Sequence, residues 1–146
     1  MILGYFKLFL RFSVATSMIS AIADRFNLWS PEMTVWGTMD AFIQYATPAM
    51  FYIPDPLMPA AAWFATIVEL IAAITLLLGF KTELSAKISG IVLAVFALSM
   101  TFSFGIKSVF DYSVFNATAA AFSILLIKEK FLELDSLFDA KKGNHQ

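Results

Sequence analysis

The sequence contains no cysteine and only one histidine, His145, which is the penultimate residue. Without cysteine, this chain cannot carry thiol–disulfide exchange, cysteine metal sites or iron–sulfur clusters of its own. Because no long apolar stretch contains a histidine, a haem held by histidine inside a helix bundle is also excluded. Proton transfer, hydrogen bonding to a carbonyl group and structural ion pairing remain open to the side chains.

Charged residues are also scarce, at 14% of the 146 residues, whereas 60% are hydrophobic and sixteen are phenylalanine. A soluble domain is usually about 25% charged and about 45–50% apolar. The mean hydropathy of +0.77 agrees with this imbalance. The composition therefore indicates an integral membrane protein, and the net charge of −1 gives no basic surface for nucleic acid.

Four apolar runs are each about long enough to cross the hydrocarbon core as a helix. We predict an all-α fold, an integral membrane antiparallel four-helix bundle. Its membrane domain covers residues 1–128, with spans at about 2–23, 60–80, 83–105 and 112–127. Residues 24–59 form an extracytoplasmic segment, and residues 129–146 form a cytoplasmic amphipathic tail.

The extracytoplasmic segment contains all five prolines and several Trp and Tyr residues, a composition typical of a membrane interface. Ser30 and Pro31 suit a helix start, which predicts a short outer interfacial helix ending at about Ala46, before Pro48. This helix either acts as a lid or docking surface or simply covers the end of the bundle. In the tail, Phe131, Leu134, Leu137 and Phe138 share one face of a second interfacial helix.

The distribution of Lys and Arg predicts the orientation of the chain. If the amino terminus is cytoplasmic, only Arg25 and Lys107 lie on the outer side. The cytoplasmic side then receives Lys7, Arg11, Lys81, Lys87, Lys128, Lys130, Lys141 and Lys142. Both termini are therefore predicted to be cytoplasmic in a multi-pass protein.

Glu69 is the only ionisable residue in the stretch 60–80. A carboxylate at that depth is costly and should have a polar partner. Helical rise places Glu69 about 14 Å and Arg11 about 20 Å from the outer ends of their spans, an offset that an arginine can bridge. We therefore predict a buried Glu69–Arg11 pair, which is either functional or a structural contact between spans 1 and 2.

Further polar residues are predicted near the outer ends of the spans. Ser17 and Ser20 belong to a small polar stripe on span 1, which either packs against another helix or lines a cavity. Ser99, Ser103 and Lys107 follow at steps of four on span 3. The remaining residues of the predicted mouth are Asp24, Arg25, Asp111, Tyr112 and Asn116. They either fasten helix ends or form a head-group site above an apolar pocket that suits a quinone or lipid.

Three stretches resemble the DoxX family of small bacterial four-helix membrane proteins: SAIADRFNLWS, TIVELIAAITLLLGFKTELSAKISGIVLAVFALSM and GIKSVFDYSVFNATAAA. The likeness runs from about Arg11 to Ala121, and it departs from the family pattern at Asn27 and Glu83. The resemblance implies the bacterial inner membrane. It also implies a link to membrane oxidoreductase complexes that handle thiols or quinones, of which only the quinone route suits a chain without cysteine.

We therefore expect a subunit that binds a quinone or lipid-like ligand and serves a membrane redox partner, in contact with membrane lipids. The alternatives are a small-molecule or lipid transporter and a non-catalytic structural or assembly protein. No catalytic residue and no metal site is predicted from the sequence.

Overall fold

A computed structural model describes the backbone of residues 1–143 and the side chains of residues 1–138. Within this range the chain is helical, with turns and extended connections but no strand. The helices are α1 Ile2–Arg25, α2 Met39–Ala49, α3 Met58–Leu78, α4 Thr82–Phe104, α5 Ile106–Asp111, α6 Val114–Ser123 and α7 Leu134–Gly143. Short 3-10 turns at Asp55–Leu57 and Ile124–Leu126 precede α3 and follow α6.

Three helices, α1, α3 and α4, are long and apolar enough to cross a membrane. The predicted fourth span is shorter, because α6 and the turn after it cover only Val114–Leu126. At 1.5 Å per residue this stretch is about 20 Å long, compared with a hydrocarbon core of about 30 Å. The chain is therefore a membrane protein with several candidate spans.

Small side chains bring these helices close together. The α1 helix contacts α3 and α6, and α4 contacts the same two helices. Their shared core contains Val14, Ala15, Met18, Ala72, Ala73, Leu76, Ala86, Ala121 and Ile124. A Cβ added at Gly90 of α4 would lie 2.6 Å from the ring of Phe122, so this glycine lets α6 approach α4. Large side chains such as Phe64 and Phe102 point outward, where lipid can cover them.

The outer helix begins later than the sequence predicts. The start at Ser30 and Pro31 is wrong, because α2 starts at Met39 and Thr38 caps it by accepting a hydrogen bond from the Ala41 N–H at 3.1 Å. The cause is Asp24, whose carboxylate accepts the N–H groups of Val35 and Trp36 and holds that segment in turns. Two contacts attach the end of α2 to α4: Ser103 Oγ donates to the Ala49 carbonyl at 3.0 Å, and Tyr52 and Ser99 hydroxyls lie 2.9 Å apart.

At the opposite end, residues 128–133 are not helical, contrary to the predicted tail helix, which begins at Leu134. Arg11 Nη1 donates to the carbonyls of Phe131 and Leu132, and Lys7 Nζ donates to that of Glu129. These carbonyls are therefore bound to α1 and not to a helix of their own. The last predicted tail residues, 144–146, lie outside the described residues.

Candidate ligand-binding site

Glu69 lies in the middle of α3 and is only 4% exposed. Its partner is Arg25, the last residue of α1, whose Nη1 donates to Glu69 Oε2 at 2.6 Å. The same Nη1 also donates to Thr66 Oγ1 at 2.6 Å, one turn earlier on α3. The structure thus joins the end of one candidate span to the middle of another through a buried, charge-assisted contact.

The predicted pairing of Glu69 with Arg11 is wrong. Arg11 donates instead to the last carbonyls of α3, through Nε to Leu76 at 2.9 Å and through Nη2 to Leu77 at 3.0 Å. Both carbonyls lie in the last turn of α3, at its negative dipole end, and the Leu76 carbonyl also accepts the Gly79 N–H at 3.2 Å. The prediction failed because it placed the outer ends of the first two spans at one level. In the structure, α3 begins eleven residues, or about 16 Å, outward of Glu69, and the side chain that reaches Glu69 comes from Arg25 at the outer end of α1.

Arg25 is also covered by aromatic rings delivered by the outer segment. Its Cζ lies 3.8 Å from the centroid of the Phe42 ring and 5.9 Å from that of Trp36. Such contacts stabilise a desolvated guanidinium. Arg25 Nε and Trp36 Nε1 are buried donors that find no acceptor among the described residues. The site therefore contains two N–H groups for which the described chain supplies no acceptor.

Asp24, the neighbour of Arg25, holds the covering segment in place. Its carboxylate accepts hydrogen bonds from the Thr34 hydroxyl, from Val35 N at 3.0 Å and from Trp36 N at 2.9 Å. Asp24 is thus a positioning residue that fixes the backbone carrying the Trp36 ring.

A cavity of about 510 Å³ lies beside the Arg25–Glu69 pair. This volume falls within the range of about 300–1,000 Å³ that is usual for small-molecule sites. Most of its wall is apolar and comes from α1, α2, α4, α6 and the segment around Trp29 and Trp36. The charged residues that line it are Asp24, Arg25 and Glu69. The cavity therefore suits a largely apolar molecule with a few hydrogen-bond acceptors.

Seven residues of the predicted site line this cavity: Ser17, Ser20, Asp24, Arg25, Glu69, Ser99 and Tyr112. Ser103 lies nearby and holds α2. Lys107 and Asp111 do not join the site; they form an exposed ion pair of 2.6 Å on α5. Asn116 is also exposed and does not line the cavity.

The helix break at Gly105 explains why Lys107 and Asp111 were misplaced. Gly105 has φ +83° and ends α4, so the four-residue spacing from Ser99 through Ser103 no longer applies at residue 107. In the described part of the chain, no group of three or more His, Cys, Asp and Glu side chains is placed to hold a metal.

An apolar pocket is predicted from the sequence, but the aromatic and methionine residues that form its wall are not. The wall includes Met18, Trp29, Trp36, Phe42, Tyr45, Met50, Phe96 and Met100. The Trp and Tyr cluster of the outer segment is evident in the sequence, where its composition indicates a membrane interface. Burial, with a smaller contribution from Tyr112, raises the pKa of Tyr45, so its hydroxyl stays neutral at physiological pH.

These features can be compared with known proteins. The sequence model of the DoxX family matches residues 6–106, which is 101 of the 146 residues. The chain belongs to the DoxX family. The match covers most of α1 and all of α2, α3 and α4, and therefore contains Arg25, Trp36, Phe42 and Glu69 of the candidate site, whereas α6, α7 and nearly all of α5 lie beyond it. Searches of curated proteins and of solved structures give no match.

Proposed function

We propose that this DoxX protein binds a quinone, or a similar lipid-soluble molecule with carbonyl oxygens, beside Arg25 and serves a membrane redox partner. One observation carries the proposal: an apolar cavity of about 510 Å³ is lined by Arg25 and Trp36, whose buried donors Nε and Nε1 have no acceptor in the described chain. Leaving such a donor unsatisfied costs about 1–3 kcal/mol, and a ligand carbonyl removes that cost.

Each part of the site has a role in this proposal. The aromatic and methionine side chains bind the ring and exclude water, and the guanidinium orients a carbonyl oxygen. Glu69 fixes Arg25 and is the buried carboxylate beside the ring that can exchange a proton. The electrons come from the partner, so the chain binds and orients the quinone but does not reduce it alone.

The proposal includes a topology of four spans in a bacterial inner membrane, with α6 and its 3-10 turn as the fourth span and both termini cytoplasmic. The location of the basic residues supports this arrangement. Lys7 and Arg11 of α1 bind the segment after α6, and Lys128 pairs with Glu83 at the start of α4 at 2.9 Å. The cationic groups thus collect at one end of the molecule, as expected for a cytoplasmic side.

A structural or assembly role is the second candidate, and it is favoured by the way Arg25–Glu69 joins α1 to α3. A transporter has less support, because the three long candidate spans are continuous, whereas many transporters bind substrates at broken helices.

The experiment compares a variant that lacks the buried pair with one that lacks an exposed pair. Arg25→Met with Glu69→Leu removes both buried charges together, which is usually far milder than removing one. Lys107→Ala with Asp111→Ala is the control. Each protein is purified in native lipid and its quinone content is measured after extraction. We expect about tenfold less quinone in the first variant, corresponding to about 1.4 kcal/mol of binding, and no change in the control.

Equal quinone content in both variants overturns the proposal and favours the structural role. If the wild-type protein purified in native lipid contains no quinone, the proposal is overturned as well.

A further inference from the structure

We infer that the cavity opens sideways into the bilayer, between the outer halves of α1 and α6, and that a ligand enters there with its ring first while its apolar tail stays in lipid. This inference rests on the proposed function and specifies the class of ligand: a quinone with a long hydrocarbon tail. Ser17, Trp29, Tyr112 and Ala117 define the opening, which we call the portal.

The packing of α1 against α6 places the portal in the outer half. The two helices contact each other, and their common core contains Val14, Met18, Ala121 and Ile124. One turn outward along α6 from Ala121, Ala117 lines the cavity, and Ser17 and Ala21 do the same on α1. Val14 and Met18 belong both to this core and to the cavity wall, so the cavity begins beside the contact between the two helices and continues outward between them.

Exposure distinguishes the portal from the cavity walls on α2 and α3, whereas Met33 and Val35 of the covering segment also line the cavity and are exposed. Cavity residues on α2 and α3, such as Phe42, Ala46 and Glu69, are buried. In contrast, Ser17 is exposed, Ala117 is half-buried, and Tyr112 is 62% exposed. Ser17 lies eight residues before the end of α1, so the opening reaches about 12 Å along the helix towards the bilayer centre. An opening of that depth faces lipid as well as the outer surface.

The polarity of the portal fits an apolar tail. Its four residues are uncharged, and the Ser17 hydroxyl is satisfied because it donates to the Ser13 carbonyl at 2.7 Å. The Trp29 indole N–H is satisfied by the Ser20 carbonyl at 3.1 Å. Arg25 Nε and Trp36 Nε1, the unsatisfied donors among the residues that line the cavity, are buried in the protein. A ligand that meets both demands has an oxygen-bearing ring inside and a hydrocarbon chain in the portal.

The cavity volume leads to the same ligand. About 510 Å³ accommodates a substituted ring and the first units of a tail, but a long prenyl tail needs more room. The portal gives such a tail a route into the bilayer without exposing it to water.

Because the sequence contains no cysteine, a single introduced cysteine can be labelled selectively, and the test uses this property. Ser17→Cys in the full-length protein is labelled with a benzyl methanethiosulfonate, which obstructs the portal through a reducible disulfide. Thr16→Cys is the matched control, because Thr16 is also exposed and its hydroxyl also donates to a carbonyl four residues earlier, but it does not line the cavity. The proteins are placed in vesicles, and decylubiquinone uptake is followed by quenching of tryptophan fluorescence, since Trp29 and Trp36 line the cavity.

We expect labelled Ser17→Cys to take up decylubiquinone at least about tenfold more slowly than the unlabelled protein, because obstruction of the portal lowers the association rate. Labelled Thr16→Cys should match the wild type. Removing the label with a reductant, and then removing the reductant before quinone is added, should restore the original rate. The tail-less dimethoxy-methyl-benzoquinone should bind the labelled protein with its affinity nearly unchanged.

Equal uptake by the two labelled variants overturns the portal. An equal loss of affinity for the tailed and the tail-less quinone also overturns the portal, because the label then fills the cavity and does not merely block an entrance. If the unlabelled wild type is quenched by neither quinone, the proposed function itself fails, and this outcome is distinguishable because it appears before any labelling.

Discussion

The Arg25 guanidinium and the Glu69 carboxylate meet at 2.6 Å with both side chains at least 95% shielded from solvent. Desolvating two such charges costs several kcal/mol each, and only close geometry with further hydrogen bonds compensates for it. Thr66 supplies one of these bonds, and the Phe42 ring covers the guanidinium. The contact is therefore stable only when α1, α2 and α3 are all in place, which makes it sensitive to the loss of one partner.

Removing Arg25 alone should therefore destabilise the protein strongly. We expect Arg25→Met to lower the free energy of unfolding by about 3–5 kcal/mol, because Glu69 is left as an uncompensated buried carboxylate. Adding Glu69→Leu should recover most of this loss. The measurement is equilibrium unfolding of both variants in detergent micelles. Additive losses in the double variant would show that the two residues act independently.

The Asp24 carboxylate should control the order of the segment that carries Trp36. Asp24→Asn retains one acceptor oxygen but replaces the other with a donor, so the N–H groups of Val35 and Trp36 cannot both keep their partners. We expect the protection of these two amides from hydrogen exchange to fall about tenfold, as for the loss of one hydrogen bond. Asp40→Asn, on the exposed side of α2, is the control. Unchanged protection at both Val35 and Trp36 would remove Asp24 from this role.

Much of the fold could be predicted from composition and periodicity. The three long apolar helices follow from hydropathy, and the burial of Glu69 follows from its place in an apolar run. The rise and rotation per residue of a helix are fixed, so the relative height and the face of two residues on one helix follow from their numbers. The sequence therefore predicts which residues of α1 or of α3 share a face and how far apart they lie along the helix.

Relations between helices could not be predicted in the same way. Arg25 and not Arg11 meets Glu69 because the connection from residue 26 to residue 57 lets α3 extend further outward than α1, and the spans alone contain no information on that offset. The break at Gly105 removed Lys107 and Asp111 from the site for a similar reason. The cavity wall of Trp36, Phe42 and Tyr45 required knowing that the outer segment folds over the bundle.

Gly79 should be essential for docking the segment after α6 against α1 and α3. It has φ +69°, and a Cβ there would lie 2.5 Å from Arg11 Nη2 and 2.7 Å from the backbone Cα of Glu133. The side chain of Arg11 can move, but the Glu133 backbone must shift. We expect Gly79→Ala to increase hydrogen exchange across residues 129–136 and to release the buried contact of 2.8 Å between Lys7 and Glu133.

Gly105→Ala is the matched control for this change. It also has a positive φ, so alanine there costs about 1–3 kcal/mol in backbone strain, but a Cβ would have no neighbour within 4 Å. Exchange across residues 129–136 should therefore stay as in the wild type. Equal exchange in the two variants would mean that strain, and not the contact with Glu133, determines the effect.

Asp135 should make the stability of the inner end depend on acid pH. Its two carboxylate oxygens accept the N–H groups of Lys81 and Thr82 at 2.7 and 2.8 Å and so cap α4 from a distant part of the chain. Burial alone raises the pKa of Asp135, but the hydrogen bonds from Thr82 and Lys81 outweigh it, and the net pKa is lowered. Because the pKa of Asp135 is lower in the folded state, its contribution to the free energy of unfolding is fully present above the unfolded pKa of about 3.9. This contribution is lost as the pH falls through the folded pKa.

The measurement is the difference in unfolding midpoint between the wild type and Asp135→Asn, followed from neutral pH to below pH 4. We expect the wild type to be more stable at neutral pH and the difference to shrink as the pH falls below about 4, because both proteins then present a neutral side chain to Lys81 and Thr82. Taking the difference removes the titration of other carboxylates that the two proteins share. A difference that stays constant to the lowest pH would show that the ionised form of Asp135 is not what holds the start of α4.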